Sequence, residues 1–431
     1  MARFYTGGSR PAATGPVRSE ANPSGRTGEG APGYARDARS ELFLLAVSNM
    51  VGEDTFYEQA GERDERFRGL VHQVAVEDPG WTLEFLRWLR GEANMRSAPL
   101  VAAAEAVRAR LDAQIRPDNP HNKITNRSLV SAVLQRADEP GEMIAYWLSR
   151  HGRRIPISVK RGITDAIIRL YTERALLKYD TAEHPVRFGD VVDLVQPATH
   201  VPAIRGTWRY DLYGHAIDRR HGRDRAIPEP LTTLHSRAAL MAVPVEQRRD
   251  LLGQPGTADM LRTAGVTWEA LAGWLQGPLD ATARSAVIPS MGLFGLVRNL
   301  RNLDEAGVPD QVAETVAARL ADPVLIARSR MFPFRFWAVY KNTASLRWAQ
   351  ALEQALVASL ANVPTLPGRT LVLVDRSPSM FPGHGFSAPN RSDISLAERA
   401  AVFGAAVALR AEQATLVEYG FTSRPVSFRR G

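Results

Sequence analysis

The chain has 431 residues, 45% of them hydrophobic and 23% charged, with a formal net charge of +8 and no cysteine. That length holds more than one buried core, and the missing cysteine excludes disulfides, thiolate zinc sites and cysteine nucleophiles. No apolar run approaches the roughly 20 residues that cross a bilayer, and the N-terminus lacks the charged-then-apolar pattern of an export signal, so a cytoplasmic protein without membrane attachment is expected. The positive balance favours an anionic partner, because Lys and Arg release counterions from phosphates.

Residues 1–38, rich in Gly, Pro, Ser and charges, are predicted to be a flexible tail. Apolar residues at helical spacing then recur in ELFLLAVSNMV (41–51), FRGLVHQVAVE (67–77), WTLEFLRWLRGEAN (81–94) and PLVAAAEAVRARLDA (99–113). The pattern continues to LRWAQALEQALVASLANV (346–363), about a dozen helices in all, most joined by short polar breaks. So many short helices in series predict stacked hairpins of the HEAT kind, an α-solenoid over 39–364. One of them is predicted to begin near Val159 and continue to Tyr179, burying Ile163, Ile167, Leu170 and Leu177.

The period changes after Pro364 and Pro367. TLVLVDRS (370–377) is a continuous apolar run with β-branched residues, predicted as a strand buried on both faces. Ser395 and Glu398 stand at capping-box spacing before an Ala-rich helix, and TLVEYGF (415–421) and PVSF (425–428) read as two strands around a short turn. Residues 368–431 therefore open a doubly wound α/β domain.

Two features carry chemistry. Asp375, Ser377 and Ser379 form D-x-S-x-S at the carboxyl end of the apolar strand, where such sheets bind ligands. One carboxylate and two hydroxyls are hard oxygen donors suited to one side of an octahedral Mg²⁺. The second feature is basic. Arg150, Arg153, Arg154, Lys160, Arg161, Arg169, Arg174 and Lys178 crowd into 29 residues with only Asp165 and Glu173 to offset them. Arg161, Asp165 and Arg169 share one line of the helix. A further basic stretch runs from Arg205 and Arg209 to RRHGRDR (219–225), interleaved with Trp208, Tyr210, Tyr213, His215 and His221. Cations hold phosphates and aromatics stack on unpaired bases, although a solvated helix face has the same composition.

Several segments resemble the TROVE domain of the Ro autoantigen and its bacterial relatives. They are MRSAPLVAAAEAV (95–107), RIPISVKRGITDAIIRLYTERALLKY (154–179), VRFGDVVDLVQP (186–197), IPSMGLFGLVRNLRNLDEAGV (288–308) and MFPFRFWAVYKN (331–342). They lead into DRSPSM (375–380), where that family places a von Willebrand factor A-type domain and its metal-ion-dependent adhesion site. The resemblance implies a mainly α fold, a monomeric ring of HEAT-like helices followed by the start of the A-type domain. It also implies binding of small noncoding Y-like RNA and of single-stranded RNA ends, in quality control or decay, with an exoribonuclease as partner. The basic pair of the family's RNA-contacting helix matches Lys160 and Arg161, and Lys178 lies in the matching LLKY stretch. A histidine of some relatives aligns near Phe188, beside Arg187. The expected RNA contacts are thus Lys160, Arg161, Arg169, Arg174, Lys178, Arg187, Arg153 and Arg154. With at most three strands before Gly431, the later metal-binding loops of the family have no counterpart, and weak Mg²⁺ affinity at Asp375, Ser377 and Ser379 is expected. The competing expectation is a metal-dependent protein-binding scaffold. No catalytic constellation stands out, so no enzymatic activity is expected.

Overall fold

A computed structural model describes residues 24–26, 30, 32–48, 59–115, 124–343, 345–381 and 394–427. The predicted tail up to residue 23 lies outside them; its described remainder holds a short antiparallel pair, β1 (Gly25–Arg26) and β2 (Pro32–Gly33). The chain divides into two compact units, residues 1–230 and 231–431, with the division inside the helical series.

In the first unit the helices are α1 (Ala38–Ser48), α2 (Ala60–Glu77), α3 (Pro79–Gly91), α4 (Ser97–Asp112), α5 (Asn126–Val133) and α6 (Glu139–His151). They are followed by α7 (Ile157–Leu170), α8 (Glu173–Tyr179), α9 (Phe188–Val195), α10 (Pro197–His200) and α11 (Trp208–Arg220). Polar caps set the punctuation. Asp78 accepts from the Trp81 amide before Pro79 opens α3, and Thr125 and Ser128 form a reciprocal capping box on α5. Such a cap contributes about 1 kcal/mol. Helices then pack in pairs, α2 on α4, α5 on α7 and α9 on α11. The α5–α7 contact depends on Gly162, where an added Cβ would lie 2.6 Å from the Val130 Cβ and 2.8 Å from the Arg127 carbonyl oxygen. Buried charges tie the layers together. Arg110, 1% exposed, donates to Asn126 and to the Ile124 carbonyl. Arg90 pairs with Glu139, whose carboxylate also accepts the Gln135 and Arg136 amides.

The helix predicted over 159–179 is two. Thr172 caps α8 by accepting from the Ala175 amide, and Tyr171 between the helices turns into the core, stacked 3.8 Å from Phe188. The break rotates the buried stripe: α7 buries Val159, Ile163, Ala166 and Ile167, α8 buries Leu176, and Leu170 and Leu177 are half-buried.

In the second unit α12 (Thr232–Met241), α13 (Val245–Leu252), α14 (Thr257–Thr263), α15 (Trp268–Leu275), α16 (Ala281–Val287) and α17 (Leu293–Glu305) continue the series. Next come α18 (Asp310–Ala321), α19 (Pro323–Ser329), α20 (Pro333–Asn342) and α21 (Ala349–Ala358). Their core centres on Trp348, Phe336, Leu296, Leu300, Val316 and Leu320. The α/β part then follows as β3 (Leu366–Asp375), α22 (Leu396–Arg410), β4 (Ala411–Tyr419) and β5 (Ser423–Val426). β3 and β4 are parallel and β5 returns antiparallel to β4, in the order β3-β4-β5. The predicted Ser395–Glu398 capping box is present. α22 docks on α20 through a Phe332–Phe403 edge contact and a Lys341–Glu398 ion pair.

The expectation that β3 is buried on both faces is corrected. Val372 and Val374 meet α22 at Gly404, whose Cβ would be 2.5 Å from Val374 Cγ2. Leu371 and Leu373, on the other face, are 48% and 58% exposed. An unbroken apolar run does not distinguish a strand covered on one face from a strand covered on two, because side chains alternate between faces whatever lies over them.

Candidate nucleic-acid interface

α6 ends at Gly152, whose φ of +80° lets the chain reverse without a Cβ clash. Arg153 and Arg154 follow, exposed, while Ile155 is buried and the Arg154 carbonyl accepts from the Trp147 indole at 3.2 Å. The backbone here is anchored and the guanidiniums project from it. Pro156 then caps α7, which has no acidic residue in its first turn. Lys160 and Arg161 sit at this end, where cations oppose the helix dipole at a cost of about 0.3–1 kcal/mol each. Among the described residues, Arg153, Arg154, Lys160 and Arg161 have no carboxylate at ion-pair distance. His200, on α10, lies against the same cluster. Burial, then the Arg161 and Lys160 charges, hold its imidazole below the ordinary histidine range.

The remaining expected contacts are placed differently. Arg169 is at the far end of α7, donating through Nη2 to the Ser131 and Leu134 carbonyls. Arg174 and Lys178 are exposed on α8, with the Lys178 ammonium 5.0 Å from the Tyr179 ring centre. Arg187 is a structural residue. Its guanidinium pairs at 2.6 Å with Asp180, which is 3% exposed and also accepts the Phe188 amide at 2.9 Å. A buried carboxylate without that partner would be costly, so Arg187 is committed to the core.

Within the stretch 205–225, Trp208–Arg220 forms helix α11, and the cations from Arg219 onward are matched. Arg219 and Asp180, Arg220 and Asp190, His221 and Asp193, and Arg223 and Arg225 with Asp218 all stand at ion-pair distance. Its aromatics divide. Trp208 and Tyr210 are exposed, with the Arg209 guanidinium 4.6 Å from the Trp208 ring, whereas Tyr213 is buried edge-on to Tyr171 and its phenol is pushed up to about 12.

Two clusters were not legible in the sequence. Arg87, Arg127 and Arg169, from three helices, line one polar groove of about 560 Å³. Glu105, 1% exposed, gathers His72 at 2.7 Å, the Tyr146 hydroxyl at 2.6 Å and His151 at 3.3 Å. Burial holds His151 below the ordinary histidine range. Both clusters join residues tens of positions apart, and no local spacing announces them.

In the α/β part, Ser377 turns back onto Asp375, its amide at 2.8 Å and its hydroxyl at 2.6 Å from Oδ1. These bonds hold the Asp375 carboxyl below its usual range. The fit to a divalent cation is incomplete. One carboxylate and the two hydroxyls of Ser377 and Ser379 supply half an octahedron, and no group of three or more His, Cys, Asp or Glu among the described residues is placed to hold a metal.

These observations define a helical-repeat protein with an appended parallel α/β element and a cationic helix end. Residues 285–342 match the TROVE domain model. In fold, the chain is similar to the Ro (Rsr) protein of Deinococcus radiodurans, with a TM-score of 0.61 and 17% identity over 91% of this chain and 77% of that one. A search of curated proteins by sequence finds no match. The chain therefore contains a segment that matches the TROVE domain model, and its fold is similar to that of a bacterial Ro protein. No helix among the described residues is long and apolar enough to cross a membrane.

Proposed function

We propose that the protein binds RNA without cleaving it, taking small noncoding Y-like RNA and the single-stranded ends of structured or misfolded RNA. It would serve as a ribonucleoprotein scaffold in RNA quality control or decay, with an exoribonuclease supplying the chemistry. The observation that carries this reading is the start of α7, where Lys160 and Arg161 meet no carboxylate among the described residues, on a helix end that already favours anions. A protein that gains nothing from cations at this position pays a dipole penalty for keeping them. A phosphate neutralises both the cations and the helix end. The TROVE-domain match and the Ro fold support the same reading.

The test is fluorescence anisotropy with structured and single-stranded RNA across a salt series, comparing the wild type with Lys160→Ala/Arg161→Ala. The double variant is expected to bind about 10-fold or more weaker, with a salt slope shallower by about one to two. An unchanged slope would remove both residues from the interface.

A further inference from the structure

We propose that the groove between α3, α5 and α7 is a phosphodiester channel in which Asp165 occupies, in the free protein, the place of an RNA phosphate on Arg127. The proposal rests on the RNA-binding reading and extends it to residues outside the α7 start.

The groove, about 560 Å³, is lined by Arg87, Arg127, Arg169, Ser131, Gln135 and Asp165, among others. Three guanidiniums thus face one carboxylate. Arg127 donates from Nε and Nη2 to the two oxygens of Asp165, both at 2.6 Å. That two-pronged geometry is the one a guanidinium uses on two phosphate oxygens. Both partners remain in contact with water, at 49% and 27% side-chain exposure. Because the pair is open to solvent, a phosphate can reach Arg127 and take over the same two-pronged geometry. Arg169 is held in position by the Ser131 and Leu134 carbonyls, and among the described residues Arg87 pairs with the exposed Glu84 of its own helix.

The groove also continues the cationic end of α7. Arg161, Asp165 and Arg169 recur at four-residue intervals on one line of that helix, so a strand held at Lys160 and Arg161 passes into it. The carboxylate has a selective consequence. A lone small phosphate must displace Asp165 with the gain from one contact, whereas a strand already anchored at α7 delivers its next phosphate at high effective concentration. Asp165 thereby favours a polyphosphate strand over free anions.

The experiment uses the full chain and a short fluorescein-labelled single-stranded RNA over a salt series, with melting temperatures recorded alongside. Asp165→Asn is expected to bind about 3- to 10-fold tighter with a salt slope steeper by up to about one, because Arg127 is released to phosphate. Arg87→Ala/Arg127→Ala is expected to bind about 10-fold weaker with a slope shallower by about one to two. Asp165→Asn with native melting and no gain in affinity would overturn the proposal. Should that variant melt early, Arg127→Gln decides: wild-type affinity there refutes the groove. Inorganic pyrophosphate is expected to compete only at millimolar concentration, and displacement of RNA by micromolar pyrophosphate would assign the groove to a small ligand instead. A wild type with no salt-dependent RNA binding, or an unaffected Lys160/Arg161 variant, sinks the RNA reading itself. Loss at Lys160/Arg161 with no change in the groove variants sinks only the groove.

Discussion

The segments 153–178 and 219–225 look alike in the sequence, each dense in Arg and flanked by aromatic residues. In the fold their charges are partnered differently. At 219–225 each arginine meets an aspartate, Asp180, Asp190 or Asp218, and the cations help hold α8, α9 and α11 together. At the start of α7 the cations meet no carboxylate among the described residues and oppose the helix dipole. Local charge density is the same kind of signal in both. What differs between them is whether acids from distant segments converge on the cations.

This contrast can be broken most forcefully at Asp180. Asp180→Ala leaves the half-buried Arg187 without its carboxylate and the Phe188 amide without its acceptor, and is expected to cost about 3 kcal/mol in urea unfolding. RNA affinity of the folded fraction should be retained; a selective loss of affinity with native stability would make Arg187 a contact after all. A smaller effect is expected on the matched segment. Arg223→Ala/Arg225→Ala, exposed arginines paired with the half-buried Asp218, should change stability by no more than about 1 kcal/mol and leave the salt slope of RNA binding as it is. A slope change equal to that of the α7 variant would erase the distinction.

The smallest effect concerns acid. His151 is held neutral by burial beside Glu105, with the Arg108, Arg150 and His72 charges adding to the same direction and Glu105 opposing it. The neighbouring Arg68 and Tyr146 complete the set of groups around that carboxylate. A histidine whose folded value is depressed contributes stability that is present above about pH 6.5 and is lost as pH falls through the folded value. The melting temperature is therefore expected to drop as pH falls below about 6.5 in the wild type and less so in His151→Gln, and parallel curves would show that His151 is not the sensor.

Much of the architecture was legible. The helical series, the change of period after Pro364, the Ser395–Glu398 cap and the β3–α22–β4 order all follow from local patterns that the fold preserves. The division of 159–179 into two helices was not. Tyr171 and Thr172 are compatible with a helix, and it is the stack of Tyr171 on Phe188 together with the Thr172 cap that breaks it. The exposed face of β3 escaped for a similar reason, since Leu371 and Leu373 state a preference for burial and not whether anything covers them.

By itself the sequence determined most of the secondary structure, the position of the α/β element and the basic character of α7, because periodicity, caps and composition act over a few residues. Only the tertiary structure decided which cations meet a carboxylate, Arg187 at Asp180 and Arg127 at Asp165, and that Lys160 and Arg161 meet none among the described residues. A charge acts through what lies within a few ångströms of it, and those neighbours come from helices that the chain brings together only on folding.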